Sequence, residues 1–224
     1  MEREMQPKGI EIPEKVRQVL HNLQRNNMEA EYVDRKEGAA PAVQALLRPG
    51  DRIAVGGSAT LEQTGVLELV RSPEYRFIDR YEEDLGEAQR KERLRAAFEA
   101  DVLLCSANAI LESGELYQVD GLSNRIAPLV YGPGRVIVVA GVNKIVEDLA
   151  QAAHRVRTVT APAIVKKWGL DAPCIHAGGC VAEGGELGRG CMCDARRCCN
   201  FLVMGRQRVK GRIRVILVGE ALGF

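Results

Sequence analysis

From Pro13 onward, apolar side chains recur at Val16, Val19, Leu20 and Leu23, the i, i+3, i+4, i+7 rhythm of a helix with one buried face. Pro13 suits the first turn of that helix, and Asn26-Asn27 ends it. Met28 to Val33 alternates apolar and polar positions like a half-buried strand. A second helix is predicted from about Ala40 to Leu47, where Pro49-Gly50 stops it. Asp51 to Val55 then reads as a short buried strand running into Gly56-Gly57-Ser58-Ala59-Thr60, and a third helix carries Leu61, Val66, Leu67 and Val70. The rhythm continues with a short strand near Tyr75 to Ile78, a charged helix from about Leu85 to Glu99 and an apolar strand from Val102 to Cys105. Beyond these come a strand at Arg135 to Ala140, a helix at Ile145 to Arg155 and a last strand at Arg212 to Val218.

Runs such as Val136-Ile-Val-Val-Ala140 and Ile213-Arg-Val-Ile-Leu-Val218 do not alternate cleanly, which suits strands covered on both faces. Strands alternating with helices predict an α/β fold with a mainly parallel sheet flanked by helices. No internal repeat or long linker interrupts the pattern, so the 224 residues read as one domain, with residues 1–49 as an N-terminal helical region. The one break in composition is Asp171 to Asn200, rich in Cys and Gly and poor in periodicity: a Cys-rich elaboration on the sheet near the C-terminus.

Charge narrows the partners. Lys+Arg total 31 and Asp+Glu 30, a formal net charge of +1, which gives no electrostatic case for nucleic acid or a membrane surface. Aromatic residues are 4% of the chain, too few for base-stacking platforms. Met1 to Gln6 is charged and lacks an apolar core like that of a signal peptide, and no stretch approaches the roughly 20 apolar residues of a spanning helix. The expected location is the cytoplasm, where thiols stay reduced.

That setting matters because six of the seven cysteines crowd into one stretch: Cys174, Cys180, Cys191, Cys193, Cys198 and Cys199. Thiols so concentrated are soft-metal ligands, redox groups or disulfide partners, and a reducing compartment favours metal. Four of the six are expected to bind it, with His176 able to replace one. The spacing matches neither paired C-x2-C zinc arms nor a ferredoxin run, so zinc and an iron–sulfur cluster both stay open. Reduced free thiols or an adventitious disulfide are the plainer alternatives. Gly178, Gly179, Gly184, Gly185, Gly188 and Gly190 give the segment freedom to wrap an ion. Cys105, within Val102-Leu-Leu-Cys105, reads as a small buried hydrophobe.

Three further constellations sit where strands end, which is where open α/β sheets gather ligands. Gly56, Gly57, Ser58, Ala59 and Thr60 lie between a strand and a helix, where free N–H groups and hydroxyls favour an anion; otherwise Ser58 or Thr60 simply caps the helix. The loop has neither the Walker nor the G-x-G-x-x-G spacing. After the strand ending at Cys105 come Asn108, Glu115, Asp120, Asn124 and Arg125, which supply acceptors, donors and one guanidinium for an anion; Ser113-Gly114 and Asp120-Gly121 also read as hairpin turns. In Gly141-Val142-Asn143-Lys144, Lys144 either neutralises an anionic ligand or is a solvated charge in the first turn of the next helix.

Several of these stretches together resemble the lactate-utilization (LUD) domain family: Gly56 to Thr60, Ser106-Ala-Asn-Ala-Ile110, Gly114-Glu115-Leu116, Val119-Asp120-Gly121 with Asn124-Arg125, Gly132-Pro133, Val138-Val-Ala-Gly-Val-Asn-Lys144, Pro173-Cys174 and Val215 to Phe224. The resemblance covers about Gly50 to the end. It implies a fold related to the ribose-phosphate isomerase, glucosamine-phosphate deaminase and CoA-transferase group, in which the loop matching Gly56 to Thr60 faces an anionic part of the ligand. It also implies a role in oxidising lactate to pyruvate beside iron–sulfur partner proteins. Shorter members carry a compact Cys-rich segment ending in Cys-Asn, as Cys199-Asn200 does here, although this one is lengthened by the run Gly178 to Gly190. The expected function is therefore lactate or small hydroxy acid utilization with an anionic small metabolite bound. The alternatives are a non-catalytic redox or assembly subunit docking an iron–sulfur partner, and an isomerase-like enzyme on a sugar phosphate. No residue is assigned a catalytic role.

Overall fold

The computed structural model describes residues 11–182, 185, 186 and 188–224. Met1 to Gln6 and Gly184, which the sequence reading also used, lie outside the described residues. In chain order the elements are α1 (Glu14–Arg25), β1 (Glu29–Val33), α2 (Ala39–Gln44), β2 (Arg52–Val55), α3 (Ala59–Gln63), α4 (Val66–Val70), β3 (Arg76–Phe77), α5 (Glu87–Ala96), β4 (Val102–Cys105), β5 (Ala109–Leu111), β6 (Leu116–Asp120) and α6 (Ile126–Val130). They continue with β7 (Arg135–Gly141), β8 (Ile145–Val146), α7 (Leu149–Arg155), α8 (Ala161–Lys167), α9 (Pro173–His176), β9 (Asn200–Met204) and β10 (Ile213–Val218).

Six strands form one sheet in the order β1-β10-β7-β4-β2-β3, and every pairing in it is parallel. The mixed apolar runs of the sequence are explained by its two covered faces. Val136, Val138 and Ala140 of β7 join Val16, Val19, Leu20 and Leu23 of α1 in one core. Ile137 and Val139 of the same strand face the opposite core, with Val43, Leu61, Val66 and Val70 from α2 to α4. Successive side chains of a strand point to opposite sides, so a strand clad on both must be apolar throughout.

The strand pattern did not predict a second, four-stranded sheet, β8-β5-β6-β9. β5 and β6 form an antiparallel hairpin, β9 adds antiparallel to β6, and β8 adds parallel to β5. Its turn is the Ser113-Gly114 turn, with Gly114 at φ +88 and its N–H donating to the Leu111 carbonyl. Asp120-Gly121, by contrast, is not a hairpin turn, because Asp120 is the last residue of β6. Tyr117 and Val119 pack with Ala152, Val156 and Ala161 from the α7–α8 region into a third core.

Three boundaries differ from the pattern. The helix read across Leu61 to Val70 breaks at Gly65, which adopts φ +71 and ends α3. The helix read from Ile145 begins only at Leu149, capped by Asp148, whose carboxylate accepts the Gln151 N–H at 2.8 Å. Ile145-Val146 is instead β8, drawn into the second sheet by pairing with β5. Between Asp171 and Cys199 the described residues hold one regular element, α9. Among the described residues no helix is long and apolar enough to cross a membrane.

Candidate functional site

β4 leaves the parallel sheet at Cys105, crosses Ser106-Ala107-Asn108, and re-enters the second sheet as β5; β7 does the same through Val142-Asn143-Lys144 into β8. The two crossings run side by side at the carboxyl ends of the parallel strands, and the end of β2 delivers Gly56 to Thr60 beside them. Residues far apart in sequence therefore meet: Thr60, Ser106, Asn108 and Lys144 are all buried at this junction.

Lys144 is its centre. The residue is 3% exposed, and its ammonium donates to Thr60 Oγ1 at 3.0 Å and Ser106 Oγ at 2.9 Å. Burial, then the nearby Arg155 and Arg125 cations, push its pKa down to about 7. It is not a solvated charge opening a helix. Arg155, at the end of α7, ties the two crossings together: Nε donates to the Asn143 carbonyl at 3.3 Å, and Nη1 to the Asn108 carbonyl and Thr160 Oγ1, both at 2.9 Å. Burial lowers its pKa as well. Among the described residues neither Lys144 nor Arg155 has a carboxylate within ion-pair distance.

Arg125 differs. Its Nε and Nη2 both donate to Asp120 Oδ1, at 3.0 and 2.7 Å, its Nη1 to the Ser106 carbonyl at 3.0 Å, and its Nη2 also to Asn108 Oδ1 at 2.7 Å and the Val119 carbonyl at 3.0 Å. Asp120 Oδ2 accepts the N–H groups of Arg125 and Ile126, each at 3.0 Å, where α6 begins. Both side chains are 10% exposed. The guanidinium expected to clamp an anion is turned inward, locking β4, β6 and α6 together. Asn108 belongs to the same lock, its Oδ1 also accepting the Val119 N–H at 2.8 Å.

The glycine loop divides likewise. A Cβ on Gly56 would lie 2.7 Å from Arg125 Cγ and 3.2 Å from Cys105 Cβ, so this glycine makes room for the Arg125 stem rather than for a ligand. Gly57 is exposed, with the Tyr81 hydroxyl 3.8 Å from where its Cβ would lie, and Ala59 is half-buried. Ser58 caps α3, accepting the Leu61 N–H at 3.3 Å. Ser58→Ala is therefore expected to lower stability by about 1 kcal/mol in chemical denaturation and to leave anion binding unchanged; lost binding without lost stability would return Ser58 to the ligand. Asn124 lies half-exposed beside Arg125 and makes no side-chain hydrogen bond among the described residues. Glu115 is elsewhere: it accepts from Ser113 Oγ on the β5–β6 turn, at the opposite end of β6 from Asp120. That separation is about 16 Å at the usual strand rise.

Sequence reasoning did not single out Gln118 or Arg155, and it quoted Ser106 and the segment 219–223 only within family-like stretches, without a site role. Ser106 follows a strand directly and was legible by position; Arg155 sits in an ordinary helical pattern with nothing to distinguish it. Gln118 is fully buried, donates to the Ser106 carbonyl at 3.2 Å, and leaves its Oε1 without a partner among the described residues. The segment after β10 covers the junction: the Leu222 N–H donates to Asn143 Oδ1 at 3.0 Å and the Gly223 N–H to Gln63 Oε1 at 2.7 Å. A Cβ on Gly223, at φ +64, would lie 2.5 Å from Thr60 Oγ1 and 3.2 Å from Lys144 Nζ.

The fold brings four of the six clustered cysteines, Cys174, Cys180, Cys191 and Cys198, within electrostatic reach of one another. All seven thiols are free. Cys174 is the second residue of α9, and Cys198 packs beside the Tyr117 core. Burial raises the pKa of both thiols, as do Cys180 and Cys191, whose charges reach each of them. Cys193 Sγ donates to the Asp171 carbonyl at 3.5 Å, Cys199 is exposed, and His176 pairs with Asp171 instead of a thiol. Among the described residues no three His, Cys, Asp or Glu side chains form a set able to hold a metal ion. The thiols as placed are therefore not drawn into a closed zinc or iron–sulfur ligand set among the described residues. Cys105 is fully buried, and burial pushes its thiol up to about 11, as suits a small hydrophobe.

With this geometry in place, comparison with known proteins is informative. A family model for the LUD domain matches residues 16–218. The chain belongs to the LUD domain family. Among solved structures, this LUD domain is similar to a DUF162 family protein from Deinococcus radiodurans, with 17% identity over 92% of this chain and 97% of that one, at a TM-score of 0.50. The likeness shows a shared fold. Weaker likenesses are to ribose 5-phosphate isomerase A from Methanocaldococcus jannaschii, 17% identical over 78% of this chain and 80% of that one with a TM-score of 0.37, and to eIF2B beta from Chaetomium thermophilum, 19% identical over 54% and 42% with a TM-score of 0.35. No curated protein matches the chain.

Proposed function

We propose that this LUD domain binds a small organic anion at the junction of its two sheets and serves the oxidation of a small hydroxy acid such as lactate, the process with which its family is associated. One observation carries the reading: Lys144 and Arg155 stand together at the carboxyl ends of the parallel strands with no carboxylate among the described residues to match them. An unpaired buried cation is costly, and an anionic ligand removes that cost. Arg125, also a cation at this junction, is already neutralised by Asp120 and adds no unmatched charge.

The test is isothermal titration with lactate, pyruvate and ribose 5-phosphate. Lys144→Met, which keeps the length of the buried stem, is expected to weaken binding ten- to a hundredfold, the loss of one charge-assisted hydrogen bond. Anion affinity depends on the protonated amine, so it is expected to fall as pH rises through about 7. Stability of the free protein moves the other way. Between about 7 and the ordinary lysine value of 10.5 the unfolded chain binds the proton that the folded chain has released, so unfolding becomes harder as pH increases. Absence of binding to all three anions would sink the reading.

A further inference from the structure

We propose that Lys144 captures the keto carbon of a small 2-oxo acid as a reversible imine, while Arg155 receives that acid's carboxylate. The inference rests on the anion site just described and names its chemistry. It begins with how Lys144 is held. A lysine meant only as a buried cation is normally fixed by a carboxylate; here both partners of Nζ are hydroxyls, Thr60 Oγ1 and Ser106 Oγ. Hydroxyls serve an amine as well as an ammonium, because each can donate to a lone pair or accept from an N–H.

Of the ionisable groups facing Nζ, Arg155 and Arg125 disfavour its charge and only Cys105 favours it, as the smallest influence of the three. Arg155 approaches from α7 and Arg125 from the start of α6, the latter with its charge balanced by Asp120. Cys105, from β4, is a neutral buried thiol. From the segment after β10 comes only backbone, at Gly223. Desolvation beside a second cation is the established way to keep a lysine nucleophilic near neutral pH. Arg155 adds the complementary half, since its Nη2 makes no hydrogen bond among the described residues while Nε and Nη1 anchor it to both crossings.

The step balances without a redox partner. The neutral amine adds to the ketone carbon, forming the N–C bond and opening the C=O to a carbinolamine. Loss of that oxygen as water, with both amine protons, leaves the C=N bond. Ser106 and Thr60, already bonded to Nζ and 3.4 Å from each other, are placed to pass those protons. A 2-hydroxy acid has no carbonyl and binds the same site by charge alone, so the chemistry separates the oxidised acid from the reduced one. Because Nζ lies beneath Gly223, entry requires the segment 219–224 to lift.

The experiment treats the full chain with pyruvate and cyanoborohydride, maps modified peptides by mass spectrometry, and titrates pyruvate and lactate in parallel. The expected result is a reduced pyruvyl adduct on Lys144, in yield that rises as pH passes about 7 while lactate affinity falls. Lys144→Met should abolish that adduct, but the wild-type peptide map decides on its own if the variant does not fold. Pyruvate and lactate binding with no adduct, or with adducts confined to exposed lysines, overturns the imine and leaves the anion site standing. If neither acid binds, the anion-site reading itself fails and takes the imine with it.

Discussion

Arg125→Met is expected to destabilise the domain by about 3–5 kcal/mol, the usual consequence of leaving one member of a buried ion pair alone. Asp120 would keep its carboxylate at 10% exposure with two backbone N–H groups and no cation. Asn108 Oδ1 and the Ser106 and Val119 carbonyls would lose a donor as well. For a domain whose total stability is of order 5–15 kcal/mol, the loss approaches unfolding. Urea denaturation measures it directly. Arg125→Met combined with Asp120→Asn should recover part of the loss, because the stranded charge disappears while acceptors for the α6 N–H groups remain. A stable Arg125→Met protein that had lost anion binding would show that the guanidinium serves the ligand after all.

The contrast between Arg125 and Lys144 also shows what the sequence could reveal. Both stood out as basic residues just past strand ends, and a basic residue there suggests an anion equally well in either case. What separates them is invisible in the chain: Asp120, only five residues before Arg125, folds back onto it, whereas the nearest charged neighbours of Lys144 arrive from α6 and α7 and are cations. The parallel sheet was legible because its long strands, such as Arg135 to Gly141, are apolar on both sides and spaced by amphipathic helices. The second sheet was not. β5 has three residues and β8 two, too short for any period to register, and β6 finds its partner β9 across more than eighty residues, with Leu116 opposite Met204. Reading Ser113-Gly114 as a turn without the strand Leu116 to Asp120 that follows it grouped Glu115 with Asp120, although they lie at opposite ends of that strand. The cysteines pose the opposite difficulty. Closeness in sequence suggests a ligand set, and the fold brings Cys174, Cys180, Cys191 and Cys198 within electrostatic reach of one another without closing three donors into a metal-holding group among the described residues.

Gly141→Ala is expected to open the site. Gly141 has φ −73 and ψ 153, a conformation that alanine adopts freely, so any effect comes from the added methyl and not from backbone strain. That methyl would collide with the Glu220 carbonyl oxygen and would lie 2.5 Å from Asn143 Oδ1 and 2.7 Å from the Leu222 nitrogen. Two of these are backbone atoms and the third is the oxygen that holds Leu222, so no rotamer change relieves the contact; the segment after β10 has to move. Leu222, 3% exposed, would leave its core, and overpacking together with that lost burial is expected to cost about 2–4 kcal/mol. The more telling readout is electrostatic. With Gly223 no longer over Nζ, water reaches Lys144, the desolvation that dominates its lowered pKa weakens, and the value climbs back toward 10.5. Anion affinity should then persist to higher pH than in the wild type, and amide exchange at Leu222 and Gly223 should accelerate. If exchange accelerates but the pH midpoint for lactate binding stays near 7, cationic neighbours rather than burial set the Lys144 pKa. Unchanged exchange would mean that the segment tolerates the methyl and does not cover the site.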